Sequence, residues 1–180
     1  FGRPKYTNDE NGVYLYGKII PNVDPLTFKF ISEKECSAQI GFDDNHGYHP
    51  QLCYSADKNT VLFEGRPMEG SDLSTFSISE ISNVYSTDKN NAYFKGKKIE
   101  GVDIKTFSVL GPWYAKDSKH AYASGKAIES ADPDSFRFVA PIDVYNLTWD
   151  SYAVDKNKLY KTSTTNDAMV LADYPKTGDS

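Results

Sequence analysis

At 180 residues, with 39% hydrophobic and 14% aromatic content, the chain can bury roughly 70% of its unfolded surface around one core. No apolar run approaches the roughly 18 residues of a membrane span, and a formal net charge of −5 with scattered lysines argues against a nucleic-acid partner. The chain begins at Phe1 without an initiator Met, so any signal peptide is expected to have been removed or omitted ahead of it.

The first residues state a phrase that then returns. Asp9 has Tyr6 before it and Gly17, Asp24 and Phe28 after it. The same markers stand in the same register around Asp57 (Tyr54, Gly65, Asp72, Phe76), Asp88 (Tyr85, Gly96, Asp103, Phe107) and Asp117 (Tyr114, Gly125, Asp132, Phe136). A fifth, partial copy keeps Tyr152, Asp155-Lys156-Asn157 and Leu159-Tyr160. Four markers in fixed register define an internal repeat, and that dictates architecture before any other reading. The units lie near 6–30, 54–78, 85–109 and 114–138, with the partial one near 152–162.

Within a unit the elements follow from local chemistry. The Asp-Lys-Asn cluster closes an Asx-type turn on nearby backbone N–H groups. A short β-prone run such as Ala92-Tyr93-Phe94 follows, and the Gly then supplies the positive φ that a tight hairpin needs. The return strand carries Ile20, Met68, Ile99 or Ile128, expected to face the core. Next, Asp24-Pro25-Leu26-Thr27-Phe28 and its counterparts place an N-capping Asp ahead of a single helical turn. The Phe opens a strand with alternating apolar positions, Phe28/Phe30, Phe76/Ile78, Phe107/Val109 and Phe136/Phe138.

The repeated aspartates are 31 and 29 residues apart in the middle of the chain, but 48 and 38 at its two ends. Insertions therefore lie at 31–50 and 140–149. The first holds Cys36, Phe42, His46, Tyr48 and His49 and is followed by Cys53; the second holds Tyr145 and Trp149. A Cys36–Cys53 disulfide would close a loop of roughly 17 residues and contribute on the order of 3 kcal/mol. Such a bond favours an oxidising place, the periplasm or the cell surface, and two buried free thiols in a cytosolic protein are the alternative. The terminal copy reads as a cap on the array, and the tail 174–180 is expected to fray.

Asp57-Lys58-Asn59, Asp88-Lys89-Asn90-Asn91-Ala92-Tyr93-Phe94 and Asp155-Lys156-Asn157 resemble the signature of the bacterial DKNYY family. The match runs on through Gly96 to Asp103 and through Thr106-Phe107. The resemblance implies a bacterial, often envelope-associated repeat protein with no generally assigned activity, so no catalytic residues carry over. Copies one and four depart from the phrase, with Asp9-Glu10-Asn11 and Asp117-Ser118-Lys119, as a structural role for it allows.

Candidate chemistry is thin. Cys36, His46, His49 and Cys53 could form a zinc set, but their spacing matches no familiar finger and a disulfide-pinned loop accounts for the same residues. Cys53 as a nucleophile lacks a nameable orienting group. The repeated aspartates fail an EF-type calcium loop by its fifth position, and turn capping needs no ion. Trp113, Tyr145 and Trp149 could serve a glycan platform, whereas Tyr114 and Tyr152 occupy the repeated, core position. No metal or cofactor is expected. No phosphate loop or nucleophile elbow is present.

The expected fold is all-β: tandem repeats of short antiparallel hairpin units with single helical turns, stacked as an open curved array. A propeller-like ring is the alternative. The expected function is non-enzymatic protein binding in the bacterial envelope, with an immunity protein against a secreted toxin as one concrete version. Phe42, His46, Tyr48, His49, Tyr145 and Trp149 are the expected contact residues, since insertions in repeat folds gather at the binding face. A glycan-binding module and an uncharacterised hydrolase are the alternatives.

Overall fold

The computed structural model describes residues 6–32, 53–139, 151–163 and 166–173. Among them the secondary structure is entirely strand and turn, in five small antiparallel sheets in tandem. Sheet A holds β1 (Tyr6–Asp9), β2 (Gly12–Leu15) and β3 (Lys18–Ile19). Sheet B holds β4 (Lys29–Phe30), β5 (Tyr54–Ala56), β6 (Val61–Phe63) and β7 (Arg66–Pro67). Sheet C repeats that order with β8 (Ser77–Ile78), β9 (Tyr85–Thr87), β10 (Ala92–Phe94) and β11 (Lys97–Lys98). Sheet D does so with β12 (Ser108–Val109), β13 (Tyr114–Lys116), β14 (Ala121–Ala123) and β15 (Lys126–Ala127). Sheet E has β16 (Arg137–Val139), β17 (Ser151–Val154), β18 (Lys158–Ser163) and β19 (Asn166–Asp173).

The sheets do not coincide with the sequence units. The strand that follows each repeated Phe pairs with the opening strand of the next unit: Lys29 lies opposite Ala56, Ser77 opposite Thr87, Ser108 opposite Lys116 and Arg137 opposite Val154. Each of sheets B to E is therefore built from two units. The expected helical turn ahead of that strand is one turn closed by one or two backbone bonds. Thr27, Thr75 and Thr106 N–H donate to Asp24, Asp72 and Asp103 C=O at 3.3, 3.2 and 3.1 Å, and the Phe that follows leads straight into a strand.

Hairpin geometry explains the repeated Gly. Residue pairs Tyr16-Gly17, Glu64-Gly65, Lys95-Gly96 and Ser124-Gly125 all have positive φ, 47–51° at the first position and 72–77° at the Gly. That is the two-residue turn whose twist matches the flanking strands. Gly125 has a second reason to be Gly: a Cβ there would lie 2.5 Å from Phe94 Cβ.

The chain divides into two compact units, Phe1–Phe76 with Lys95–Lys97, and Ser77–Phe94 with Lys98–Ser180. In the first, Val13, Ile20, Val23 and Leu62 form a buried cluster. In the second, Tyr114, Ala121, Ala123, Phe136, Ala153 and Tyr160 do so. Tyr54, Tyr85 and Tyr114 are fully buried and Ile20, Met68 and Ile99 nearly so, as expected, whereas Ile128, Tyr152, Phe28, Phe76 and Phe107 are half-buried. The repeated Asp caps its turn as expected and is also buried, since Asp57, Asp88, Asp117 and Asp155 are at most 4% exposed. An unpaired carboxylate at that depth would be costly, so its partners define the next level of structure.

Candidate functional site

Each repeated Asp is a hydrogen-bond hub. Asp117 Oδ1 accepts the N–H of Lys119 and of His120, both at 2.7 Å, and closes its own turn. Its Oδ2 accepts the Tyr122 hydroxyl at 2.7 Å and, from the preceding sequence unit, the Asp103 N–H at 2.8 Å. Asp155 repeats this with Asn157 and Lys158 N–H, Tyr160 hydroxyl and Asp132 N–H, all at 2.7–2.9 Å. Asp57 takes Asn59, Thr60 and Asp24 N–H at 2.8–2.9 Å, with Leu62 standing where a Tyr would donate.

The residue after the Asp completes the clasp. Lys58, Ser118 and Lys156 N–H donate to Thr27 Oγ1, Thr106 Oγ1 and Ser135 Oγ at 3.2, 3.0 and 3.0 Å. Lys58 and Lys156 Nζ also pair with Asp24 and Asp132 at 2.9 and 3.3 Å, while the Ser118 hydroxyl donates to Asp103 Oδ2 at 3.2 Å. The electrostatics follow from these bonds. Burial pushes the Asp117 carboxyl up, but the Tyr122 hydroxyl and the three N–H donors outweigh it and hold Asp117 below the usual carboxylate range. Asp155 is lowered against burial in the same way. Burial pushes the Tyr114 phenol up to about 12. Its hydroxyl donates to the Ser151 carbonyl at 3.0 Å, as that of Tyr85 does to the Trp113 carbonyl at 2.9 Å.

These polar side chains are therefore occupied in holding one unit to the next. Chemistry toward a ligand has to come from elsewhere, and the first compact unit offers a surface for it. The hairpin ends there surround an open groove of about 590 Å³, lined by Leu15, Tyr16, Phe63, Arg66, Lys95 and Lys97 among others. Three cations stand against one carboxylate, Glu64, around an apolar lining. Burial lowers the Lys95 ammonium below the usual lysine range. A neighbouring hollow of about 340 Å³ shares Leu15, Tyr16 and Arg66 and adds Ile19. Tyr16 and Ile19 are 49% and 58% exposed, which is unusual for large apolar side chains side by side on a surface. Among the described residues no three His, Cys, Asp or Glu side chains gather as a metal site would require.

Phe42, His46, Tyr48, His49, Tyr145 and Trp149, the contact residues expected from sequence, lie outside the described residues, as do Cys36 and the tail 174–180. Cys53 is fully buried at the entry to β5; its N–H donates to Glu64 Oε1 at 2.6 Å, and its carbonyl accepts the Glu64 N–H at 2.9 Å. Sequence reasoning missed the groove because its residues occupy variable positions of the repeat. The signal available was the Tyr ahead of Gly17, a large apolar residue at a hairpin tip.

Comparison with known proteins agrees with the repeat. The model of the DKNYY family matches residues 76–126 and 114–174, together more than half of the chain. No curated protein and no solved structure matches.

Proposed function

Because the chain belongs to the DKNYY family, we propose that it works as a protein-binding repeat domain of the bacterial cell envelope, periplasmic or on the cell surface, without an enzymatic activity. A secreted toxin that it neutralises is the concrete form of the partner. The observation that carries this reading is the division of labour among its residues. The repeated Asp, Lys, Thr and Tyr groups are spent on internal bonds, while the hairpin ends leave a cation-rimmed apolar groove open beside Tyr16 and Ile19. Arg and Tyr are residue types that commonly anchor interfaces, and a positive groove on a chain of net charge −5 selects an acidic partner surface with apolar anchors.

The insertions 31–50 and 140–149 supply further contacts in this proposal, through Phe42, His46, Tyr48, His49, Tyr145 and Trp149. A Cys36–Cys53 disulfide pins the first of them, in keeping with an oxidising compartment. Intact mass with and without reductant tests that bond: two free thiols in protein prepared from an oxidising compartment would refute it.

The functional test is a pull-down from envelope extract followed by titration of the recovered partner. Binding should fall at least tenfold for Tyr16→Ala with Arg66→Glu, and for Tyr48→Ala with Trp149→Ala. A confirmed interaction unchanged by both pairs would place the binding face elsewhere and overturn this reading.

A further inference from the structure

The residue that follows the hairpin Gly is a cation in every full copy: Lys18, Arg66, Lys97 and Lys126. It opens the last strand of its hairpin, β3, β7, β11 or β15, and is exposed there. We propose, on the reading of the groove as the binding face, that its occupant is an extended acidic segment of the partner protein. The segment lies lengthwise across the hairpin ends, with acidic and apolar residues in alternation.

Lysine on an edge strand has a structural reading, as a guard against pairing with another sheet. A guard works with charge of either sign, or with Pro. Here the sign is constant over four copies, in a chain with 25 acidic residues against 20 basic ones, so the cation itself is selected. The fold then gathers three of these cations on one surface. Lys18 and Arg66 line the smaller hollow, and Arg66 and Lys97 line the adjoining groove, so three copies present one row of positive charge. An apolar row runs beside it. Leu15 stands opposite Lys18 and Phe63 opposite Arg66 across their hairpins, and both line the groove. The rows are continuous because each hairpin packs on the Gly of the next: a Cβ on Gly65 would lie 2.8 Å from Leu15 Cδ2, and one on Gly96 would strike Phe63.

Two parallel rows of unlike character specify an extended peptide. Successive side chains of a strand point to opposite sides, and those on one side recur about every 6–7 Å. A strand lying between the rows sends its carboxylates to Lys18, Arg66 and Lys97 and its apolar side chains to Leu15 and Phe63. Stacked sheets lie about 10 Å apart, and the long arms of Lys and Arg take up the difference in spacing. The one carboxylate in the lining, Glu64, accepts the Cys53 N–H at 2.6 Å through Oε1, which draws part of its charge inward. A polymer of sugars and phosphates is the other kind of linear polyanion. Its hydroxyls call for side-chain amides and hydroxyls, whereas apart from Tyr16 the groove is lined by apolar groups, cations and Glu64. Charge and lining together favour the peptide.

The test uses the whole chain and three blocked, labelled nonapeptides. One alternates Glu with Leu, one sorts the same residues into an acidic and an apolar block, and one carries Gln in place of Glu. At low salt the alternating peptide should bind saturably below about 1 mM, about fivefold tighter than the block peptide and about tenfold tighter than the Gln peptide. Rising salt should weaken it. Lys18→Gln, Arg66→Gln and Lys97→Gln should each weaken it about two- to fivefold. Lys126→Gln, at the same repeat position but not in the lining of the groove, should change it less. No saturable binding up to about 1 mM overturns the proposal, as does equal binding of the alternating and block peptides, or a loss as large at Lys126. Inorganic polyphosphate of matched charge that binds more tightly than the alternating peptide would assign the row to a phosphate polymer and overturn the peptide occupant. A partner that loses binding with Tyr16→Ala and Arg66→Glu, yet is not displaced by the alternating peptide, would refute the acidic segment and leave the proposed function standing.

Discussion

Replacing Asp117 with Asn keeps the shape of the side chain and removes its charge and half of its accepting capacity. Four donors converge on the native carboxylate, two on each oxygen, at 2.7–2.8 Å. In Asp117→Asn the remaining oxygen can still serve Lys119 and His120 N–H, but as a neutral acceptor. The new amide donors face Asp103 N–H and the Tyr122 hydroxyl; the hydroxyl can rotate to accept, whereas the Asp103 N–H cannot. Leaving one backbone donor unmet costs about 1–3 kcal/mol. Weakening two charge-assisted bonds to neutral ones costs about 1 kcal/mol each. The sum is about 3–5 kcal/mol, a large share of the roughly 5–15 kcal/mol that holds a domain folded. Urea unfolding followed by fluorescence reads it as a lower midpoint at unchanged slope. Asp9→Asn is the internal control: Asp9 is exposed and takes its donors on one oxygen, so the loss there should stay below about 1 kcal/mol. A loss under about 1 kcal/mol at Asp117, or equal losses at both positions, would refute the account of the repeated Asp as the link between units.

Tyr122→Phe removes one of the four donors and should cost about 1–2 kcal/mol by the same unfolding assay. The Asp117 carboxyl should rise toward the ordinary range, which carboxyl NMR would follow. Asp117 and Asp155 titrate below the ordinary carboxylate value when folded, so their contribution is complete above the unfolded value of about 3.9. It is lost as pH falls through the lower folded values; urea midpoints should be flat with respect to these groups near neutrality and drop below about pH 4, and Asp117→Asn should blunt that drop. Gly125→Ala should cost more than about 2 kcal/mol, because a strained φ of 76° adds to a Cβ 2.5 Å from Phe94. Gly70→Ala, with φ of 70° but open space around it, should cost only about 1 kcal/mol.

The repeat, the all-β class and the hairpins were legible because Tyr, Asp, Gly and Phe recur at fixed distances along the chain, and each has a local reason for its place. The clasp was not, because its decisive bond joins residues whose separation is set by insertions. Asp24 and Asp57 are 33 apart, Asp103 and Asp117 are 14 apart, and Asp132 and Asp155 are 23 apart. An Asp followed by Lys and Asn reads as a turn that caps itself, and the arriving N–H, joined at Asp117 by the Tyr122 hydroxyl, is what allows Asp57 and Asp117 to be buried. Sheet composition was hidden for the same reason, since Lys29 pairs with Ala56 across the whole first insertion. The groove drew no attention in sequence because Tyr16, Glu64 and Lys95 share a structural position but no chemistry.

That shared position has an evolutionary consequence. Tyr16, Glu64, Lys95 and Ser124 each adopt a left-handed backbone at φ 47–51°, a conformation that taxes nearly every side chain by a similar amount. The turn is enforced by the following Gly and by the strands on either side, so its backbone does not depend on which residue sits at the tip, although the Glu64 carboxylate is bonded to the scaffold by accepting the Cys53 N–H. An aromatic, an acid, a base and a hydroxyl already occupy the four tips. With Glu64 kept for its bond to the Cys53 N–H, the other tips can diverge under selection by a ligand while the turn backbone stays constant, and a library randomised there would change what the surface recognises without asking the hairpins to refold.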